Sequence, residues 1–232
     1  MQMLVPARTL CLGLALAFLC ACSPDTKEEP SAPSAGTVWF REVGASAGLT
    51  FVHNSGARGE FLFPEQNGGG VALLDFDADG FLDIFMLQGG QIQTAATERT
   101  SHGLFRNRGD GTFEDVSAGS GVQVKGFGIG VVAGDYDNDG LTDLYLLNVG
   151  PNVLLRNAGD GKFEDTTERA GVGDRVWSSS GCFSDYDGDG DLDLYVTNYV
   201  YWSLSTDREC YEQSGRRTYC GPHSYNAPVP DH

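Results

Sequence analysis

Short apolar segments, separated by glycine and aspartate, recur along the chain from about residue 39 onward. The segments at residues 71–74, 82–87 and 153–155 are wholly apolar or alternate between apolar and polar residues, which is typical of β-strands. Helical periodicity is nearly absent. The pattern therefore predicts an all-β fold in which tight turns connect short strands, about four to each repeating unit.

Three elements of this pattern are repeated. Asp-x-Asp-x-Asp-Gly-x-x-Asp occurs at residues 75–83, 135–143 and 185–193, and Arg-Asn-x-Gly-Asp-Gly-x-Phe-Glu-Asp occurs at residues 106–115 and 156–165. A third element begins at Phe113 and Phe163, with a looser copy at Phe40, so the repeats begin near Trp39. The first repeat carries extra residues between Leu87 and His102, where a loop insertion is tolerated. Units of four antiparallel strands are typical of propeller blades, and about three are present, the last incomplete.

The aspartates of the nine-residue loops predict metal sites. Four carboxylates in so short a loop repel one another, and a bound Ca²⁺ removes that cost when side chains, a backbone carbonyl and water supply its oxygen ligands. Glycine at position 6 permits the sharp turn. The alternative is that the loops are only Asp- and Gly-rich hairpin turns, but three copies in register favour calcium, about three ions in all. The expected ligands are Asp75, Asp77, Asp79, Phe81 (by its carbonyl) and Asp83; Asp135, Asp137, Asp139, Leu141 (carbonyl) and Asp143; and Asp185, Asp187, Asp189, Asp191 (carbonyl) and Asp193.

The acidic segments fit neither an EF-hand nor an adhesion motif. An EF-hand needs a glutamate at position 12 between helices, whereas Met86, Leu146 and Val196 stand there within predicted strands. The Gly-Asp-Gly segments at residues 109–111 and 159–161 have one aspartate each and are expected to be hairpin turns. Arg108 precedes the first of them to give Arg-Gly-Asp, but alanine occupies that position in the second copy, so the tripeptide does not belong to the repeat.

These repeats resemble the FG-GAP and VCBS repeats of integrin α-subunit propellers and of many secreted bacterial proteins. The segments at residues 68–75 and 219–222 and the Arg-Asn-x-Gly-Asp-Gly element are similar, more narrowly, to the bacterial ASPIC/UnbV group, the relatives of cartilage acidic protein. The resemblance implies calcium ligation by the twelve loop aspartates and a seven-bladed propeller followed by a small domain. It also predicts that the intact gene continues beyond His232 with a further Arg-Asn-x-Gly-Asp-Gly element.

The first residues predict export. Arg8 and the apolar segment at residues 10–19 form a signal peptide, residues 1–21, and Leu19-Cys20-Ala21-Cys22 resembles a lipobox with Cys22 as the lipidated mature N-terminus. The alternative is an ordinary signal peptide cut near Ala21. Residues 22–38 are expected to be a flexible tether, followed by the propeller repeats at 39–232. The protein is then an outer-membrane lipoprotein, periplasmic or at the cell surface.

The sequence also predicts structural roles for several cysteine, histidine and aromatic residues. Cys210 and Cys220 lie in one polar loop and are expected to form a disulfide in an oxidising compartment. Cys182 occupies the position of Ala72 and Val132 and is expected to be a buried thiol. The two isolated histidines, His53 and His102, are expected to be structural or at the surface. The aromatic residues Trp177, Tyr199, Tyr201 and Trp202 are expected to pack in the core, with a carbohydrate platform as the alternative.

Composition and charge limit the function. The formal net charge of −17 argues against nucleic acid or anionic lipid as a partner, so contact with the membrane is expected only through the N-terminal lipid. No common catalytic or nucleotide-binding motif is present. The favoured hypothesis is a non-catalytic calcium-binding scaffold for a protein or carbohydrate ligand. The alternative is a polysaccharide-active enzyme, a lyase or hydrolase, on a propeller scaffold.

Overall fold

A computed structural model describes residues 40–90, 92 and 102–226. The signal peptide, the tether, Cys22 and most of the predicted insertion lie outside the described residues. The chain separates into two compact units, Met1–Arg41 and Glu42–His232, and every element below belongs to the second. Of the helices in the described residues, none combines the length and apolar character needed to cross a membrane.

The second unit is built almost entirely from antiparallel strands. The strands are β1 (Gly70–Leu74), β2 (Asp83–Leu87), β3 (Gly103–Asn107), β4 (Phe113–Asp115), β5 (Gly128–Gly134), β6 (Asp143–Asn148), β7 (Val153–Gly159), β8 (Lys162–Asp165), β9 (Ser178–Ser184), β10 (Asp193–Asn198), β11 (Cys210–Tyr211) and β12 (Arg217–Thr218). Among the described residues, helical structure is limited to α1 (Thr167–Ala170) and two 3₁₀ turns, Phe63–Gln66 and Pro222–Ser224.

The sheets confirm the predicted fold class. Strands β1 to β4 and β5 to β8 form two four-stranded sheets in simple up-and-down order, while β9 pairs only with β10 in the described part of the chain. We call these the first, second and third blades. The chain is nearly all β and has the architecture of a partial β-propeller, with the expected four strands in the first two blades and two in the third.

Alternation along the strands gives each blade two apolar faces. In β1, Ala72 and Leu74 lie on one face with Phe85 of β2, and they pack against Leu144 and Leu146 of the second blade. Tyr145 and Leu147 point to the opposite face of β6, where they pack against the third blade. The second blade is therefore packed on both faces, which explains why all six residues of β6 are buried.

Parts of the outer faces of the first and third blades are open in the described structure. Val71 and Leu73 are 63% and 60% exposed, and Tyr195 of β10 is 68% exposed. Cys182 lies across from Tyr195 in β9 and is exposed, so the expectation of a buried thiol is wrong. The equivalent Ala72 is buried because the second blade packs onto that face, whereas no described residue packs in the same way onto Cys182.

The third repeated element joins one blade to the next. The carbonyl of Ala47 accepts a hydrogen bond from the Phe113 N–H at 2.7 Å, and the carbonyl of Ser120 accepts the equivalent bond from Phe163 at 2.7 Å. Gly121, with φ +90°, follows Ser120, and a Cβ there would lie 2.0 Å from the Phe163 carbonyl oxygen. The sequence similarity of this element therefore reflects one repeated backbone contact.

After β10 the chain forms a segment with no counterpart in the other blades. A disulfide joins Cys210 and Cys220, with an Sγ–Sγ distance of 2.10 Å, around the hairpin of β11 and β12. Cys220 and Tyr225 pack with Phe63 and Trp177 in a separate apolar cluster. Trp177 is thus a core residue, as expected, whereas Tyr199 and Tyr201 are 39% and 46% exposed, so the expectation of core packing is wrong for these two. The segment is held by aromatic packing as well as by its disulfide.

Candidate metal centre

Each predicted acidic loop connects the first two strands of a blade and brings three carboxylates together. In every loop, oxygen atoms of the aspartates at positions 1, 3 and 9 lie within 4.8 Å of one another. The three groups are Asp75, Asp77 and Asp83; Asp135, Asp137 and Asp143; and Asp185, Asp187 and Asp193. These clusters have the donors and the spacing to hold a metal ion.

The carboxylate of the aspartate at position 1 accepts hydrogen bonds from backbone N–H groups later in the same loop. The two oxygens of Asp75 accept hydrogen bonds from the N–H groups of Asp79 and Gly80 at 3.0 and 2.9 Å. The corresponding bonds in the second loop are 3.1 and 2.8 Å, and in the third 3.1 and 3.2 Å. Gly80 has φ +89°, a left-handed conformation that suits glycine and closes the turn.

The aspartate at position 9 is held by one N–H group of its own loop and by one from the third strand of the blade. Asp143 accepts hydrogen bonds from the N–H groups of Tyr136 and Asn157 at 3.0 and 2.7 Å, and Asp83 is held in the same way. Both aspartates are completely buried. Burial, reinforced by neighbouring aspartates, raises the pKa of Asp83 and raises that of Asp143 to about 6, although the backbone hydrogen bonds oppose the shift.

The third loop has the same local geometry in a more exposed setting. Asp193 accepts a hydrogen bond from the Tyr186 N–H at 2.9 Å, but its side chain is exposed. In the first two loops the second hydrogen bond comes from the third strand of the blade, at Asn107 and Asn157. The third blade has two strands among the described residues, which accounts for the exposure of Asp193.

The aspartates at position 5 do not belong to the close groups of carboxylates. Asp79, Asp139 and Asp189 each accept a hydrogen bond, at 2.9 Å, from the N–H of position 7 in their own loop. In the third loop, position 7 is Asp191, whose carboxylate accepts a hydrogen bond from the Asn138 side chain at 2.8 Å. The ligand roles of positions 5 and 7 therefore remain predictions.

The donor set fits a hard divalent cation. Within the described residues, Asp77 Oδ1 is buried and has no hydrogen-bond partner, although it lies beside two other carboxylates. An orphaned carboxylate oxygen carries an appreciable desolvation cost, which an ion would offset. Carboxylate oxygens with room for a backbone carbonyl and water are the ligands that Ca²⁺ prefers.

A comparison with protein-family models matches the FG-GAP-like repeat at residues 75–146 and 135–196. Together the two matches span residues 75–196, more than half of the chain. The chain belongs to the FG-GAP-like repeat family. Each match begins at the first aspartate of one acidic loop and ends in the second strand of the next blade. A search of curated proteins found no match.

The FG-GAP-like repeats also contain site residues that the sequence analysis did not single out. Asn107 and Asn157 lie just after the arginine of the Arg-Asn-x-Gly-Asp-Gly element, and their N–H groups bond the buried aspartates. The Asn157 side chain also donates to the Phe76 carbonyl of the first loop at 2.8 Å. The repeated asparagine was visible in the sequence, but its contact with the loop depends on the register of β7 with β6.

A cleft of about 500 Å³ lies beside the first loop, between the first two blades. Its lining includes Asp77 and Arg106 from the first blade and Asp160 and Lys162 from the second. Arg106 is paired with Glu114, and Lys162 donates to the Gly119 carbonyl at 2.7 Å. The two basic side chains of the cleft are thus engaged with the protein itself.

Proposed function

We propose that this chain is an exported calcium-binding β-propeller scaffold, which presents its loops to a protein or glycan ligand at the cell surface or in the periplasm. The observation that carries the proposal is the threefold repetition of the same carboxylate cluster at equivalent positions of three blades. A single acidic turn has no need of an ion. Three clusters with matching hydrogen bonds are better explained by a shared ligand.

The role proposed for Ca²⁺ is structural. Each loop joins the first two strands of a blade, and its carboxylates come from both ends of the loop. An ion bound there would neutralise the repulsion between the aspartates and hold the strand ends together. If calcium binds only to the folded state, the free energy of unfolding increases with the logarithm of the calcium concentration once that concentration exceeds the Kd.

Export and anchoring belong to the same proposal. The predicted signal peptide with its lipobox would direct export from the cytoplasm. The disulfide between Cys210 and Cys220 is of the kind that persists in an oxidising compartment outside the cytoplasm. Extracellular modules typically bind calcium with Kd values of about 10⁻⁴–10⁻³ M, and we expect the sites of this chain to fall in that range. The narrower assignment to the ASPIC/UnbV group is part of this proposal and rests on the sequence motifs given above.

The described residues give less support to the enzyme hypothesis than to the scaffold. Outside the loops, burial raises the pKa of Glu65 and lowers that of His102. The Glu65 carboxylate accepts a hydrogen bond from Tyr219, and His102 accepts one from the Gln88 N–H. Neither residue lines the cleft between the first two blades, so we favour the scaffold.

Calorimetric titration of the calcium-stripped chain tests the proposal. We expect saturable binding of about three ions, and the loss of one ion in each of the variants Asp77→Asn, Asp137→Asn and Asp187→Asn. Asp110→Asn is the matched control, because Asp110 lies in a Gly-Asp-Gly hairpin outside the acidic loops. The proposal fails if the wild type shows no saturable binding, or if the loop variants bind as many ions as Asp110→Asn does.

A further inference from the structure

The first two blades carry the same arginine in two different arrangements. Arg106 in β3 lies opposite Glu114 in β4, and Arg156 in β7 lies opposite Glu164 in β8. Both arginines belong to the repeated Arg-Asn-x-Gly-Asp-Gly-x-Phe-Glu-Asp element. The shared arginine and glutamate and their equal strand register would predict equal ion pairs.

Arg106 makes the pair that the register predicts. Its Nη2 lies 2.6 Å from Glu114 Oε2, and Arg108 approaches the same oxygen at 3.4 Å. This pair lies outside the first acidic loop. The glutamate on the neighbouring strand is thus within reach of an arginine side chain at this position.

Arg156 turns instead into the second acidic loop. Its Nε donates to Asp137 Oδ2 at 2.5 Å, and its Nη2 pairs with Asp139 Oδ2. Asp137 belongs to the cluster of three carboxylates in this loop. The guanidinium therefore lies on one of the carboxylates that a cation in the loop would use, while Glu164 lies opposite on the facing strand.

We propose that Arg156 is a competing internal cation, which lowers the calcium affinity of the second loop and must turn towards Glu164 when that loop fills. This inference rests on the proposed calcium-binding function. A guanidinium close to Asp137 repels an incoming divalent cation and neutralises part of the charge that attracts it. The second loop is then the weakest of the three sites and the most sensitive to ionic strength, since salt screens partly exposed charges.

Two substitutions with opposite expected effects test the inference. Removing the competing charge in Arg156→Gln should tighten one of the calcium sites roughly tenfold, as the loss of one nearby charge interaction implies. Glu164→Gln keeps the arginine but removes its alternative partner, so it should weaken the same site. Arg106→Gln is the matched control, because Arg106 pairs with Glu114, and it should leave the affinities within about twofold.

Calorimetric calcium titration of the full chain and its three variants gives the readout, with the Nε–H resonance of Arg156 as a second one. In the wild type this resonance should shift only as the weakest site fills. If the wild type binds its ions but Arg156→Gln leaves every affinity unchanged or weakens one, Arg156 is not a competitor. If the wild type binds no calcium, the proposed function itself fails, and this inference falls with it.

Discussion

His102 should make the stability of the folded chain fall in mild acid. The side chain is 2% exposed, and its Nδ1 accepts a hydrogen bond from the Gln88 N–H at 3.0 Å. The ring also lies 5.8 Å from that of Phe85. Protonation of Nδ1 would replace this acceptor by a donor and bury a charge, and burial accordingly lowers the pKa of His102 to about 4.

The sign and size of the effect follow from linkage between protonation and folding. In the unfolded chain the imidazole has a pKa of about 6.5, so between pH 6.5 and 4 the unfolded state binds more protons than the folded state. The His102 contribution is therefore complete above pH 6.5 and is lost as the pH falls. At pH 5 the loss in the free energy of unfolding is about 2 kcal/mol.

Urea unfolding at pH 7.5 and 5.0, with calcium removed, measures this loss. Buried carboxylates of the acidic loops also respond to pH, so the quantity to compare is the pH difference in wild type and in His102→Gln. Glutamine can still accept the Gln88 hydrogen bond but does not titrate, so its pH difference should be smaller by about 2 kcal/mol. Exposed His53→Gln should behave like wild type. Equal pH differences in wild type and His102→Gln would refute the reasoning.

Two further predictions concern the blade faces and the disulfide. Leu74→Ala should cost about 2–5 kcal/mol, because Leu74 is buried between the first two blades, whereas Leu73→Ala on the open face should cost less than about 1 kcal/mol in the same urea titration. Equal costs would mean that another element covers Leu73. Replacing both Cys210 and Cys220 by serine should lower the free energy of unfolding by about 3 kcal/mol, measured by tryptophan fluorescence, while Cys182→Ser should have no effect. A double variant as stable as wild type would show that aromatic packing alone holds the segment.

The strands and the clusters of carboxylates were predictable because they depend on local rules. Glycine and aspartate fix the turns, and alternation of apolar residues decides which face of a strand is buried. What covers a face is not local information. Cys182 was wrongly placed for this reason: its position in the repeat is that of a buried residue, but burial also requires a neighbouring blade on that side.

The contacts that complete each site were less predictable than the loop itself. The carboxylates at positions 1, 3 and 9 come together through bonds within or next to the loop. The Asn157 N–H that holds Asp143 lies on a different strand, 14 residues further along the chain. The two arginine arrangements are harder still, because Arg106 and Arg156 occupy the same position of the repeated element and the same register opposite a glutamate.

Because their surroundings differ, the three loops should stabilise the fold to different extents when they bind calcium, although their sequences are similar. Were affinity set by the nine loop residues alone, the three sites would be equivalent. In the first loop Asp83 is buried and its pKa is raised, so the like charges there are poorly screened by water and an ion would remove a strong repulsion. In the third loop Asp193 is exposed, and water already screens its charge. Calcium in the first loop should therefore contribute more to the stability of the fold than calcium in the third, even at equal occupancy.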